Sequence, residues 1–210
     1  MKEQTKQYIS ELIHHEGELY DFKCKAHDER HIPVITDDVL QMMRVLIESH
    51  NVKSILEIGS AVGASAMLFA SFMGEDCHVT TIERDDALFL EASTNIKNFG
   101  YENKIEIIHG DASEELKKLD KQFDLIFLDG NKGHYIYMLN DCVRLLKTRG
   151  LLIGDNILFR GMVSKTEPLI RRKITIVKRL RKFLTAISER DDLISSTLPI
   201  GDGMSISVKR

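Results

Sequence analysis

From residue 53 onward, short apolar runs alternate with longer stretches of helical periodicity. Residues 53–58, 78–83, 104–109, 123–129 and 150–155 are short, rich in β-branched and aliphatic side chains, and end at Gly, Asp or Glu, which predicts strands. Between them, 64–73, 86–99, 113–119 and 134–147 space their apolar positions as helices do, with Ser113 placed like a cap and Gly100 and Gly150 as stops. Strands that alternate with helices predict a parallel sheet covered on both faces. Toward the end, 193–199 and 204–208 flank Gly201-Asp202-Gly203, which predicts an antiparallel hairpin at the sheet edge. Residues 1–50 predict two or three helices, broken near 31–35 by Pro33. The expected architecture is a Rossmann-like, doubly wound α/β fold with an antiparallel C-terminal strand. It is expected to form one domain over 1–210, with a helical cap at 1–50 and a core at 51–210.

Composition narrows the class. A chain of 210 residues, 43% hydrophobic and 29% charged, suits one packed domain rather than a disordered chain. No apolar run approaches the ~20 residues that span a bilayer, and no apolar stretch follows the N-terminal residues, so membrane insertion and secretion are not expected and the cytosol is. Cys24, Cys77 and Cys142 are scattered and odd in number, which argues for free thiols and against a disulfide framework or a cysteine-based zinc site. Charge is segregated. The net charge is −3, but residues 160–182 carry nine Lys and Arg against Glu167 alone, leaving −11 on the rest. Such a segment suits either an anionic partner or the outer face of an amphipathic helix.

Candidate chemistry lies at the ends of the predicted strands. The first runs into Glu57-Ile58-Gly59-Ser60-Ala61-Val62-Gly63, at the turn where doubly wound sheets bind nucleotide-like ligands. Its ExGxxxG spacing differs from the GxGxxG that seats a pyrophosphate, which disfavours a dinucleotide dehydrogenase. S-adenosylmethionine (SAM) has no phosphate and fits this loop better, with Glu57 and Gly59 as candidate cofactor residues. Glu83, 24 residues beyond Gly59, ends the second strand where a carboxylate accepts bonds from both ribose hydroxyls. Asp111, after the third, is placed to accept a bond from an adenine amino group. Asp129 ends the fourth strand, and Asp155 and Asn156 follow the fifth. Two carboxylates and an amide converging at neighbouring strand ends offer hard oxygen ligands suited to Mg²⁺, although Asp-Asn at a strand end also serves simply to turn the chain.

These motifs together, with Phe127-Leu128-Asp129-Gly130-Asn131-Lys132 and Gly154-Asp155-Asn156, resemble the cation-dependent O-methyltransferases, the group that includes the catechol and caffeoyl-CoA enzymes. The resemblance covers about residues 30–210. It implies a divalent ion, Mg²⁺ or a relative, on Asp129, Asp155 and Asn156. It also implies SAM contacts at Ile35, Ser65, Glu83, Asp111, Ala112 and Asp129, a general base at Lys132, and a homodimer. Within the group the chain is most similar to the bacterial tRNA 5-hydroxyuridine methyltransferases. The shared stretches are His31-Ile32-Pro33, Asp155 through Gly161, Arg171-Arg172-Lys173 and Pro199-Ile200-Gly201-Asp202-Gly203. That likeness implies methylation of the anticodon wobble base, and the basic segment then acquires a role, with Arg160, Arg171, Arg172, Lys173, Lys178 and Arg179 as phosphate contacts. Aromatics are sparse there: only Phe159 and Phe183 flank the window, so stacking on bases is not legible. The alternatives are a small catechol-like diol as substrate, which needs no basic surface, and a SAM-binding RNA module without catalysis, which would not need Lys132 and the metal set.

Overall fold

The computed structural model describes residues 3–210, and one seven-stranded sheet organises them. Its strands are β1 (Ser54–Ile58), β2 (His78–Glu83), β3 (Ile105–His109), β4 (Phe123–Leu128), β5 (Leu146–Gly154), β6 (Leu193–Leu198) and β7 (Met204–Lys209), in the order β3-β2-β1-β4-β5-β7-β6. The first five are parallel, and β7 runs antiparallel to both β5 and β6. The order reverses between β1 and β4, because the chain winds outward in one direction from β1 and returns to wind in the other. A crevice must therefore open above those two strand ends.

The continuous apolar runs follow from burial on both faces. Successive side chains point to opposite sides of a strand. Ile55, Leu125, Phe127, Leu151 and Ile153 face a core built with α3 (Asp37–Ser49) and α4 (Ala64–Phe72). Leu56, Ile58, Ile126, Leu128 and Leu152 face a second core with α7 (Tyr135–Leu145) and α8 (Ile174–Glu189). The helix α4 is apolar nearly all round because it is buried nearly all round. In contrast, α8 is two-sided: Val177, Leu180, Phe183 and Ile187 are buried, while Lys178 and Lys182 are exposed. Much of the basic segment is thus the outer face of an amphipathic helix.

Three helices precede the sheet: α1 (Glu3–Glu11), α2 (Glu18–Arg30) and α3. The break between α2 and α3 falls at 31–36, where His31 adopts a left-handed conformation (φ 54°) and Pro33 follows. The buried Lys23 pairs with Asp37, whose other oxygen accepts from the Tyr20 hydroxyl at 2.9 Å, and Arg30 forms a two-pronged pair with Glu91 on α5 (Asp86–Asn98). These ties hold segment 31–36 over the crevice.

Three expectations need correction. The cap of α6 (Ala112–Lys118) is Asp111, whose Oδ1 accepts from Ser113 N at 2.9 Å, so Ser113 lies inside the helix. The predicted helix 134–147 divides into a 3-10 turn at Lys132–His134 and then α7, which ends at Leu145. Strand β5 begins at Leu146 rather than 150, because Leu146 already pairs with Phe123 and the chain then bulges through Arg149 (φ 64°) before regaining register at Leu151. The three cysteines are free thiols, and no helix among the described residues is long and apolar enough to cross a membrane.

Candidate active site

One row of register pairs sets the site. Ile82 lies opposite Ile58, Ile58 opposite Leu128, and Leu128 opposite Gly154. The next residue on each strand therefore emerges at the same edge: Glu83, Gly59, Asp129 and Asp155. Each of the last three donates its backbone N–H one strand over, Gly59 to Ile82 (2.9 Å), Asp129 to Ile58 (3.1 Å) and Asp155 to Leu128 (3.0 Å). The ladder thus runs one step beyond the strands and fixes the functional backbone. Across the crevice, Gly59 (φ 96°) nearly touches β4's exit: a Cβ there would lie 3.0 Å from Gly130 Cα and 3.1 Å from the Asp129 carbonyl. Only glycine satisfies both the positive φ and that approach.

Above this edge lies a cavity of about 650 Å³, walled by segment 31–36, the 59–65 loop and the ends of β2 through β5. Ile35, Gly59, Ser65, Glu83, Asp111, Ala112, Asp129, Lys132, Asp155 and Asn156 all line it. Glu57 does not. It is fully buried beneath the loop, where its Oε2 accepts from the Thr81 hydroxyl at 2.6 Å and its Oε1 has no partner. Burial drives its pKa up to about 7, against the pull of the Thr81 hydroxyl.

Glu83 has structural work that its position in sequence does not reveal. One oxygen accepts from Ala61 N (3.0 Å), and the other from Arg84 N and Asp85 N (both 2.9 Å). Its carboxylate pins the glycine-rich loop to the end of β2 and still faces the cavity. The loop needs that pin, since Ala61 adopts a left-handed conformation (φ 45°).

Asp129, Asp155 and Lys132 bring three charged groups to one part of the cavity. Burial raises the Asp155 carboxyl above the usual range, and the Asp129 charge raises it further. Burial also raises Asp129, against the pull of Lys132, whose Nζ lies 3.8 Å from Asp129 Oδ1. A buried carboxylate and a half-buried one side by side, with one ammonium, make a site that favours an added cation. Among the described residues no group of three or more His, Cys, Asp or Glu is arranged to hold a metal ion, so a third protein ligand would have to be of another type. Asn156 offers an amide oxygen at the same edge: it lines the cavity in a left-handed conformation (φ 53°) that asparagine tolerates better than most residues. The donor set of hard oxygens therefore fits a divalent ion.

Sequence reasoning missed Tyr135. It is fully buried, its hydroxyl donates to the Leu128 carbonyl (2.8 Å) and lies 3.3 Å from the Asp155 carbonyl, and its ring packs edge-on against Phe183. It ties together the strand ends that carry both aspartates. No sequence signal separates it from the other apolar positions of α7.

The six basic candidates lie outside the cavity. Arg160 is exposed in the loop after β5, where its N–H donates to Asp202 Oδ1 at 2.6 Å. Arg171, Arg172 and Lys173 form a 3-10 turn, and Lys178 and Arg179 lie on α8. That helix packs against the Lys132–His134 turn: a Cβ on Gly133 would lie 3.6 Å from Ile176, and Arg179 donates to the Gly133 carbonyl at 3.4 Å. Lys173 sits over the Phe159 ring at 5.7 Å. A further arginine of the window, Arg181, is instead bonded to the carbonyls of Met162 and Val163, both at 3.0 Å.

The fold and the edge residues define a Rossmann-like α/β protein whose ligand site sits at the switch point of the sheet. Comparison with known proteins places it more narrowly. The O-methyltransferase family model matches residues 10–210. A caffeoyl-CoA O-methyltransferase from Populus kitakamiensis is 29% identical over 97% of this chain and 92% of the relative. A catechol O-methyltransferase from Niastella koreensis is 26% identical over 98% and 96%. The crystal structure of a Staphylococcus aureus protein, provisionally named as a caffeoyl-CoA O-methyltransferase, superposes with a TM-score of 0.91 at 33% identity, covering 99% of this chain and all of that one. TomG of Streptomyces achromogenes, solved with SAM, shares the fold (TM-score 0.85) at 23% identity, with 100% and 99% covered. The chain belongs to the O-methyltransferase family, within the class I SAM-dependent enzymes.

Proposed function

We propose that this SAM-dependent O-methyltransferase methylates the 5-hydroxyl of 5-hydroxyuridine at the wobble position of tRNA, giving 5-methoxyuridine, with a divalent cation as its metal. The observation that carries the reading is the packing of the basic segment. Through Ile176 and Arg179 it abuts Gly133, the residue next to Lys132, which brings the segment that carries Arg171, Arg172, Lys173 and Lys178 up to the wall of the cavity. Phosphates held there would follow an RNA loop whose base enters the cavity.

When bound, SAM supplies a sulfonium methyl group for in-line displacement, and a divalent cation supplies charge that favours the ionised form of the substrate hydroxyl. The chain's residues do the rest. Glu83 offers its remaining lone pairs to a ribose diol while holding the loop, and Asp111 accepts from an adenine amino group. Asp129, Asp155 and Asn156 are the oxygen ligands for the cation. Lys132, after releasing its own proton to solvent when the cation and substrate bind, would accept the proton of the substrate hydroxyl as a neutral amine, and Asp129 beside it would hold the ammonium that results. Gly59 and Gly130 leave the backbone bare where the cofactor must approach.

A second reading, methylation of a small catechol-like diol by the same residues, draws on the names of the relatives. Mass spectrometry of tRNA nucleosides from a deletion strain separates the two. Loss of 5-methoxyuridine with accumulation of 5-hydroxyuridine is the expected result; an unchanged profile refutes the tRNA reading in favour of the diol.

A further inference from the structure

We propose that Tyr137 and His134 form a stacking platform for an unpaired base of the RNA, next to the mouth of the active-site cavity. The inference rests on the tRNA reading above and adds the contact that the sequence did not offer. The basic segment brings cations but few aromatics, whereas the fold brings aromatics to it from another element.

Tyr137 stands in the first turn of α7, between the fully buried Tyr135 and the buried Met138 and Leu139. Those neighbours fill the inward face of the helix, so the core does not use Tyr137, which is 60% exposed. An exposed aromatic is common on protein surfaces, but this one is held. His134 meets it edge-on, with ring centres 6.0 Å apart and planes at 73°. The Arg179 guanidinium lies over its ring, 5.1 Å from the centre, while also donating to the Gly133 carbonyl. His134 lines the cavity together with Lys132. The surface therefore runs without a break from the proposed proton acceptor, across an imidazole, to a phenol ring backed by a guanidinium.

The chemistry of this patch matches one kind of occupant. A flat apolar face ordered by a cation, with Arg171, Arg172 and Lys178 exposed on the same turn and helix that carry Arg179, suits a ligand that is planar and apolar on its faces and anionic along its backbone. An unstacked base of a single-stranded loop has both properties, and such bases are read by stacking on aromatic and guanidinium planes. Both rings have only two rotatable side-chain bonds, so little conformational freedom remains to be lost on binding. Holding a neighbouring base outside the cavity would orient the target nucleotide toward Lys132.

The test uses the full chain and an RNA stem–loop carrying 5-hydroxyuridine in its loop. Binding is measured by fluorescence anisotropy for the wild type and for Tyr137→Ala, Tyr137→Phe and Tyr137→Trp. Stacking predicts that the Ala variant binds about 5- to 100-fold more weakly, with an unchanged thermal midpoint, and that the Phe variant binds like the wild type. The chain contains no tryptophan, so the Trp variant supplies a single indole whose emission the RNA should quench at wild-type affinity. If the Ala variant binds as tightly as the wild type, or the indole is not quenched on a bound RNA, the platform is refuted and the tRNA reading stands. If the wild type itself does not bind the stem–loop, the tRNA reading falls and the platform with it. An equal loss for Tyr137→Ala in catechol turnover would assign the ring to a small-substrate pocket and overturn the proposal.

Discussion

Replacing Glu57 with glutamine should change how stability depends on pH, by an amount the structure sets. The carboxyl is fully buried, one of its oxygens is unpartnered, and its pKa rises from 4.5 to about 7, chiefly through burial. A tenfold change in proton affinity is worth about 1.36 kcal/mol, so keeping this group ionised in the fold costs about 3 kcal/mol more than in the unfolded chain. Between pH 4.5 and 7 the folded state binds the extra proton. Stability therefore falls as pH rises through that window and is flat on either side of it, as far as this group is concerned. Glutamine keeps the shape and an acceptor for the Thr81 hydroxyl but does not titrate. Urea unfolding of the ligand-free protein, followed by circular dichroism, gives the comparison. The stability of Glu57→Gln minus that of the wild type should rise by about 3 kcal/mol from pH 4.5 to 7. Asp129 and Asp155 are also raised and slope the same way, so the comparison is made on the difference between the two proteins, which leaves Glu57 together with its electrostatic coupling to Asp129. A difference that stays constant across the window would refute the reasoning.

Other predictions concern the frame, the metal and the partner. Asp124 accepts from the backbone N–H groups of Lys53 and Ser54 and pairs with Lys147, and these contacts outweigh burial to hold its pKa below the usual range. Asp124→Ala leaves two N–H groups at the start of β1 unpaired and should cost about 2 kcal/mol at pH 7 by urea unfolding. The loss should shrink as the pH falls through the folded pKa of Asp124. Asp155→Ala should abolish methylation and Mn²⁺ binding by calorimetry while leaving SAM binding in place; turnover that persists in that variant with EDTA present would remove the metal from the mechanism. Arg171→Glu with Arg172→Glu should weaken binding of tRNA and lower its salt dependence, with the log–log slope falling by about 0.7 for each lost contact to a single-stranded phosphate. Unaltered salt dependence would take these arginines off the RNA path.

Local pattern was enough to locate the elements, because burial on both faces leaves continuous apolar runs and each run ends where a turn residue must stand. Gly59, Glu83, Asp111, Asp129, Asp155 and Asn156 were legible as residues lining one crevice for the same reason: strand ends meet at one edge in such a sheet. The misplacements were local. The cap of α6 went to Asp111 because its side chain reaches Ser113 N. Strand β5 gained Leu146 because a partner strand, which no local pattern reveals, paired with it.

By itself, then, the sequence determined the parallel sheet, the edge on which the cavity opens, and the chemical types present there. Which of those groups touch was decided by the tertiary structure alone. Register across four strands put Glu83, Gly59, Asp129 and Asp155 in one row, burial turned Glu57 from a candidate contact into a buried acid beneath the loop, and Tyr135 locked the strand ends together. The docking of α8 on the Lys132–His134 turn set basic and aromatic residues side by side, although they lie more than thirty residues apart in the chain. Helical and strand periodicity are read over a few residues, whereas a site is assembled by packing between elements, and that information appears only when the core closes.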